Sequence, residues 1–378
     1  MDFELTDEQK MLQEMAHKFA INEFTPVAKD YDREEKYPRE IWKKACENGL
    51  IGAFIPEKYG GAGVGFLENA LITEEFSRVD MGIGLIGAAP FGTENILLFG
   101  TEEQKQKYLP LIVKGEAISA GAYTEPDAGT DVAGIKTTAK KDGSDYVING
   151  SKMFITNGSI CDFMVVLAVT NPEAEKRHQR QSLILVEANR EGVTRTKIHG
   201  KMGIRASDTS EIVFDNVRVP QSNLIGQEGR GFYEVMQFFD ITRIMVAAQG
   251  VGVAQGAFDL ALKYVQERKT FGQPIIANQA VQFKLAEMAT RIELARTLTY
   301  KAAWLIDKGT PDPKINAMAK YYSGHTAVYV TNEALQLHGG YGYIDEYDIQ
   351  RFYRDARILE IYEGVREAEL MTIARRLV

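Results

Sequence analysis

The stretch DYVINGSKMFIT, residues 145–156, decides the fold. A short apolar run, Tyr146-Val147-Ile148, opens it, and turn signals flank and interrupt the stretch: DGSD at 142–145, NG at 149–150 and NG at 157–158. A short apolar or alternating run bounded by such turns predicts a strand. Four further short runs share the pattern: AISAGAYT (117–124), DFMVVLAVT (162–170), SLILVEA (182–188) and SEIVFDNVRV (210–219). Together they predict an antiparallel β-domain of about a hundred residues, placed at 119–226. The charged NPEAEKRHQR at 171–180 reads as a solvated loop between two strands, although its basic residues could touch a phosphate.

Outward from this block the periodicity changes. Thr6 and Gln9 form a capping box opening an amphipathic run through Ala20. Further helical patterns cover 40–49, 67–79 and 102–114, separated by YGGAGVG (59–65) and GIGLIGAAPFG (82–92). Beyond Gly229, helices are expected at 230–268, 277–307, 313–338 and 364–377, where apolar residues recur every three or four, as in LALKYVQE. The fold class is therefore α+β: an N-terminal helical domain at 1–118, the β-domain at 119–226 and a C-terminal helical bundle at 227–378. The two helical blocks are expected to pack together beside the sheet.

With 378 residues, 45% of them apolar, the chain can bury more than one core. Lys and Arg number 44 against 52 Asp and Glu, and a net charge of −8 argues against nucleic acid and anionic membrane surfaces. Cys46 and Cys161 cannot form a disulfide framework, and the five histidines lack ligand spacing, so no metal is expected. The acidic start MDFELTDEQK has no signal pattern, and no membrane span is expected. A cytoplasmic protein is the expectation. GIGLIG at 82–87 satisfies GxGxxG literally. A helical pattern precedes it where a dinucleotide fold needs a strand, so a Rossmann reading fails.

Six segments carry more information: AYTEPDAGTD (122–131), KMFITNG (152–158), KMGIRASDTSEIVFDNVRVP (201–220), ERKTFGQP (267–274), LQLHGGYGY (335–343) and RDARILEIYEG (354–364). In this order and spacing they resemble the acyl-CoA dehydrogenase family of flavoenzymes, over essentially the whole chain. The resemblance implies noncovalent FAD. It places Tyr123 and Thr124 near the flavin ring, Phe154 against its face where many members have Trp, and Thr156 near N5. Thr130 falls on the substrate side. Arg268, Phe271 and Gln279, with Gln336, Gly339 and Gly340, are implied to reach FAD on a neighbouring subunit, so a homo-oligomer follows, a tetramer by the family pattern. Asp240 and Arg243 of FFDITRIMVAAQG are similar to an element bordering coenzyme A; alone, they read as a helix-surface ion pair.

The implied reaction removes a proton from the carbon next to a thioester and a hydride from the carbon beyond. Such a proton is weakly acidic. A carboxylate matches it only where burial raises its pKa and donors stabilise the enolate oxygen. Glu363 has bulky Ile361 and Tyr362 before it and Gly364, which leaves room for a substrate chain, after it. The family motif puts the base at this glutamate, with its own N–H as one oxyanion donor. Glu360, Glu367 and Glu369 lack this setting, and the last two read as solvated surface. Members that carry the base one residue before the arginine of the other element have here Thr242, which cannot take a carbon-bound proton. Val365 and Arg366 depart from the family's Thr and small polar residue, leaving a backbone contact to FAD at Val365.

The implied partners are an acyl-CoA substrate and an electron-transferring flavoprotein. Gly84 stands where glutaryl-specific members carry Arg, and small residues across 81–92 point to a branched or alicyclic acyl group of short or medium length. Two alternatives stand: an acyl-CoA oxidase, and a noncatalytic flavin-binding subunit.

Overall fold

The structure is a computed structural model describing residues 4–377; the first three residues of the acidic N-terminal stretch and Val378 lie outside them. The N-terminal block holds α1 (Asp7–Glu23), α2 (Ala28–Glu34), α3 (Arg39–Glu47), α4 (Phe66–Val79), α5 (Met81–Gly84), α6 (Thr93–Phe99) and α7 (Glu102–Val113). The strands are β1 (Ser119–Ala122), β2 (Thr138–Asp142), β3 (Asp145–Thr156), β4 (Phe163–Val169), β5 (Gln181–Glu187), β6 (Val193–Lys197), β7 (Thr209–Pro220) and β8 (Leu224–Ile225). After α8 (Gly231–Glu267) comes a small hairpin, β9 (Lys269–Thr270) and β10 (Gln273–Pro274). Then follow α9 (Gln279–Asp307), α10 (Pro313–His338), α11 (Ile349–Ala356) and α12 (Arg366–Ala374).

The capping box at the start of α1 forms in both directions, Thr6 with Gln9. The sheet runs β6-β7-β3-β2-β4-β5-β8, with β1 added beside β4. It is not purely antiparallel. β1 pairs with β4 in parallel, the long connection between them running through β2 and β3, and Thr138 of β2 also pairs in parallel with Val169 of β4.

Strand β3 shows how sequence positions side chains. Tyr146 and Ile148 face the core, and register shifts follow at Ile148/Gly150 and Lys152/Ile155. Lys152, still on the inward parity, is fully buried; the second shift then breaks the alternation, so that Phe154 turns out to 66% exposure and Ile155 returns to the core.

The two helical blocks pack as one bundle, as expected, with α8 against both α4 and α10. Glycines allow the close approach: a Cβ on Gly252 would lie 2.2 Å from the Glu74 carbonyl oxygen, and one on Gly256 2.0 Å from that of Arg78. Buried Glu74 ties α4 to α9, accepting from Arg296 at 2.9 Å and Tyr300 at 2.8 Å.

Met81–Phe99 and α8 are long and apolar enough to cross a membrane by length and composition. Their most apolar windows are 56% and 67% buried inside the protein, as in core helices.

GIGLIG sits after helix α4, which removes the strand a dinucleotide fold requires. Its Gly84 crowds Phe76, with a virtual Cβ 3.1 Å from that backbone.

Candidate active site

Glu363 sits in a reversal of the chain between the turn at Arg357–Glu360 and α12. Two consecutive residues, Glu363 (φ 54°) and Gly364 (φ 105°), have positive φ. Gly364 tolerates this freely, whereas a glutamate in this region is uncommon and must be held there by its surroundings. The non-glycine residues with positive φ among those described are Glu35, Phe154, Asn157, Ile204, Asn216, Phe271 and Glu363. Three of them, Phe154, Phe271 and Glu363, are residues the motifs assign to a site.

Thr242 Oγ1, on α8, donates to Glu363 Oε2 at 2.6 Å. Desolvation raises the Glu363 pKa above the ordinary carboxylate value, while the Thr242 hydroxyl and the cations Arg243 and Lys320 pull it back. The side chain is half-buried, so it combines a protein surround with an approach for a ligand. Glu360 instead pairs with Arg357 at 2.7 Å, and Glu367 with Arg366 at 2.9 Å. Glu369 corrects the sequence reading: it is fully buried, 3.0 Å from Arg243 Nε, because α12 turns that face onto α8 and α10.

Around Glu363 the wall continues along α8. Phe238 lies one turn before Thr242, and Phe238, Phe239 and Phe91 surround the buried ring of Tyr123. Asn95 Nδ2 donates to the Tyr123 hydroxyl at 2.6 Å. Beside it, buried Glu94 accepts from the Gly92 N–H at 3.0 Å. Burial, with a further push from the negative charge of Glu363, raises Glu94 to about 8. Nothing in the local sequence marks Glu94 or Asn95 as site residues.

Thr124 and Phe154 are brought close by the bulge that follows Lys152. Lys152 Nζ donates to Glu125 Oε1 at 2.8 Å and to the Tyr123 carbonyl at 3.2 Å, while Met153 N–H donates to the Thr124 carbonyl at 3.0 Å. The TEPDAGTD loop is thereby fastened beside the bulge that exposes Phe154, with Thr156 at the end of the same strand. Thr130 is exposed in that loop.

A second group gathers elsewhere. Arg268, Gly339 and Gly340 line a cleft of about 500 Å³ with Tyr264, Thr270 and Tyr341, and Glu363 is not among its lining residues. A Cβ on Gly339 or Gly340 would meet nothing within 4 Å, leaving open backbone for a ligand. Phe271 projects fully into solvent from the β9–β10 hairpin, and Gln279 and Gln336 are exposed at the start of α9 and near the end of α10. All six lie outward.

Asp240 and Arg243 do form the expected pair, at 2.8 Å, yet Arg243 also turns inward to Glu369. Val365 precedes α12 in extended conformation.

A mixed sheet set between two helical blocks that pack together, with a strained carboxylate held beside α8, is the frame on which the comparisons bear. Family models for the N-terminal, middle and C-terminal domains of acyl-CoA dehydrogenase match residues 6–116, 120–217 and 229–378. The chain belongs to the acyl-CoA dehydrogenase family. Acryloyl-CoA reductase (NADH) of Anaerotignum propionicum is 44% identical over 100% of this chain and 96% of that protein. Butyryl-CoA dehydrogenase of Megasphaera elsdenii has a similar structure, with a TM-score of 0.96 and 40% identity over 100% of both chains. A chain solved in work on the electron transferring flavoprotein of Acidaminococcus fermentans gives a TM-score of 0.97 and 42% identity, again over 100% of both.

Proposed function

We propose that this protein dehydrogenates an acyl-CoA thioester between its α and β carbons, with Glu363 as the base. The observation that carries the reading is the Glu363 carboxylate itself: strained, raised in pKa by burial and held by Thr242 at 2.6 Å. A base pushed upward is better matched to an α-proton than a solvated carboxylate. Its backbone N–H is the donor assigned to the thioester oxygen, where it would stabilise the enolate. Bound FAD would supply the acceptor for the β-hydride. Tyr123, Thr124, Phe154, Thr156 and Val365 would hold its ring side, and the open Gly339–Gly340 cleft with Arg268, Phe271, Gln279 and Gln336 would hold its pyrophosphate and adenosine from a neighbouring subunit. Thr130, Asp240, Arg243 and Gly364 complete the substrate side.

Exposed Phe271, Phe283, Leu294, Trp304 and Tyr343 on the C-terminal bundle support a homo-oligomer, and we assign a tetramer. We place the protein in the cytoplasm, divide it at 118 and 226, and take an electron-transferring flavoprotein as the redox partner. Run backwards, Glu363 would deliver the proton to the α carbon, the direction for which the Anaerotignum propionicum relative is named. The small residues across 81–92 are the support for a branched or alicyclic acyl group of short or medium length. Highest turnover with long straight thioesters would remove that last assignment.

Anaerobic titration with acyl-CoA thioesters tests the whole. The yellow colour should bleach with wild type and persist with Glu363→Gln, which should retain its flavin. Bleaching by Glu363→Gln at the wild-type rate would refute the base.

A further inference from the structure

The turn carrying Glu363 rests on a buried charge cluster drawn from three helices. Lys320 on α10, 1% exposed, donates from Nζ to the Gly364 carbonyl. Glu369 on α12, 0% exposed, packs so closely on Gly364 that a Cβ there would lie 2.0 Å from its Oε1. Arg243 on α8 joins Glu369 to Asp240, at 3.0 and 2.8 Å. Neither Glu369 oxygen has a well-formed hydrogen bond, so its charge depends on these cations alone.

Burying charges costs several kcal/mol per ion before pairing, and packed apolar residues would often be as stable. A reason for keeping the cluster lies in its position, directly beneath the strained pair Glu363–Gly364.

We propose that Lys320, Arg243 and Glu369 are positioning residues that fix the turn bearing Glu363 and balance the charge it holds. Lys320 acts through the Gly364 carbonyl, which fixes the peptide after the base. Glu369 acts by neutralising Arg243 and Lys320, so that neither becomes a permanent counter-ion to Glu363. Arg243 thereby has an internal task in addition to any ligand. The charged and titratable groups coupled to Glu363 are Arg243 from α8, Lys320 from α10, Glu94 from α6, Tyr123 after β1 and the adjacent Tyr362, and Glu369 from α12 acts on it through Arg243 and Lys320. Changes at Lys320 and Glu369 should therefore move Glu363 in opposite directions.

The inference rests on Glu363 as base, and its test is the pH profile of anaerobic flavin reduction in the holoenzyme. Lys320→Met removes a cation and should shift the acid limb to higher pH, lowering the rate on that limb about tenfold, with recovery in alkali. Glu369→Gln, nearly isosteric, frees Arg243 and Lys320 to stabilise the Glu363 carboxylate and should shift the limb to lower pH. Lys320→Arg should restore the wild-type profile. Loss of rate in both variants with unmoved profiles would overturn the proposal, as would shifts in the same direction. If Lys320→Met does not accumulate with flavin, the shift in Glu369→Gln decides alone. Failure of wild type to bleach with any thioester would instead refute the base reading.

Discussion

Thr242 and Glu363 lie 121 positions apart and share a hydrogen bond of 2.6 Å, from the hydroxyl to Oε2. The position that cannot hold a base in this chain therefore serves the base from the other side. A hydroxyl donor favours the charged form of a carboxylate, and the raised pKa of Glu363 already includes that help.

Thr242→Val keeps the shape of the side chain and removes the donor. Hydrogen bonds to charged groups contribute about 1.5–3 kcal/mol. Glu363 should then hold its proton to higher pH. Stopped-flow reduction should show the acid limb displaced upward, with an alkaline plateau near that of wild type. An unmoved limb would mean the hydroxyl only fills space.

Gly364→Ala should be far more damaging than an ordinary Gly-to-Ala change. Its φ of 105° is closed to side chains, and the new methyl would meet Glu369. Moving a base by an ångström can cost about a hundredfold in rate. The expected result is that loss in flavin reduction with a lowered melting temperature. Wild-type kinetics would show that the turn adapts freely.

The helices and most strands were legible because their periodicities are long and regular: α1, α8, α9 and α10 start and stop near their caps and turns. Short elements escaped, among them α2, α6, α11, β2 and β6, whose runs are too brief or too charged to show a period. At the site, Glu363 was legible from its motif. Glu369 was not, since its neighbours Arg366 and Glu367 are exposed and only the docking of α12 buries it. Lys152 was half legible: it occupies an inward position of an alternating strand, but its partner Glu125 lies 27 residues away.

Lys152→Met should test that pair. Burial pulls the lysine down to about 8 against the pull of Glu125, and Glu125 also accepts from the Lys136 and Thr137 N–H groups at 2.6 and 2.9 Å. Breaking one side of a buried pair costs about 3–5 kcal/mol. The denaturant midpoint of the holoenzyme should fall accordingly, and the double variant with Glu125→Gln should recover part of the loss. An additive double variant would show that the two side chains do not interact.

Glu94→Gln should stabilise the protein above mildly acidic pH. In the folded chain Glu94 is raised to about 8, chiefly by burial and then by Glu363, whereas its ordinary value is 4.5. Between those values the folded state holds a proton that the unfolded state has released. The unfolded state thus binds fewer protons, and stability contributed at this residue declines as pH rises through that window. Below it, both states are protonated and nothing is lost. Gln removes the titration while keeping an acceptor for the Gly92 N–H, so melting of wild type and variant should coincide near pH 4 and diverge in the variant's favour toward pH 8. The titration is therefore read by melting alone, in the same holoenzyme at each pH. Equal melting at every pH would place Glu94 in contact with water after all.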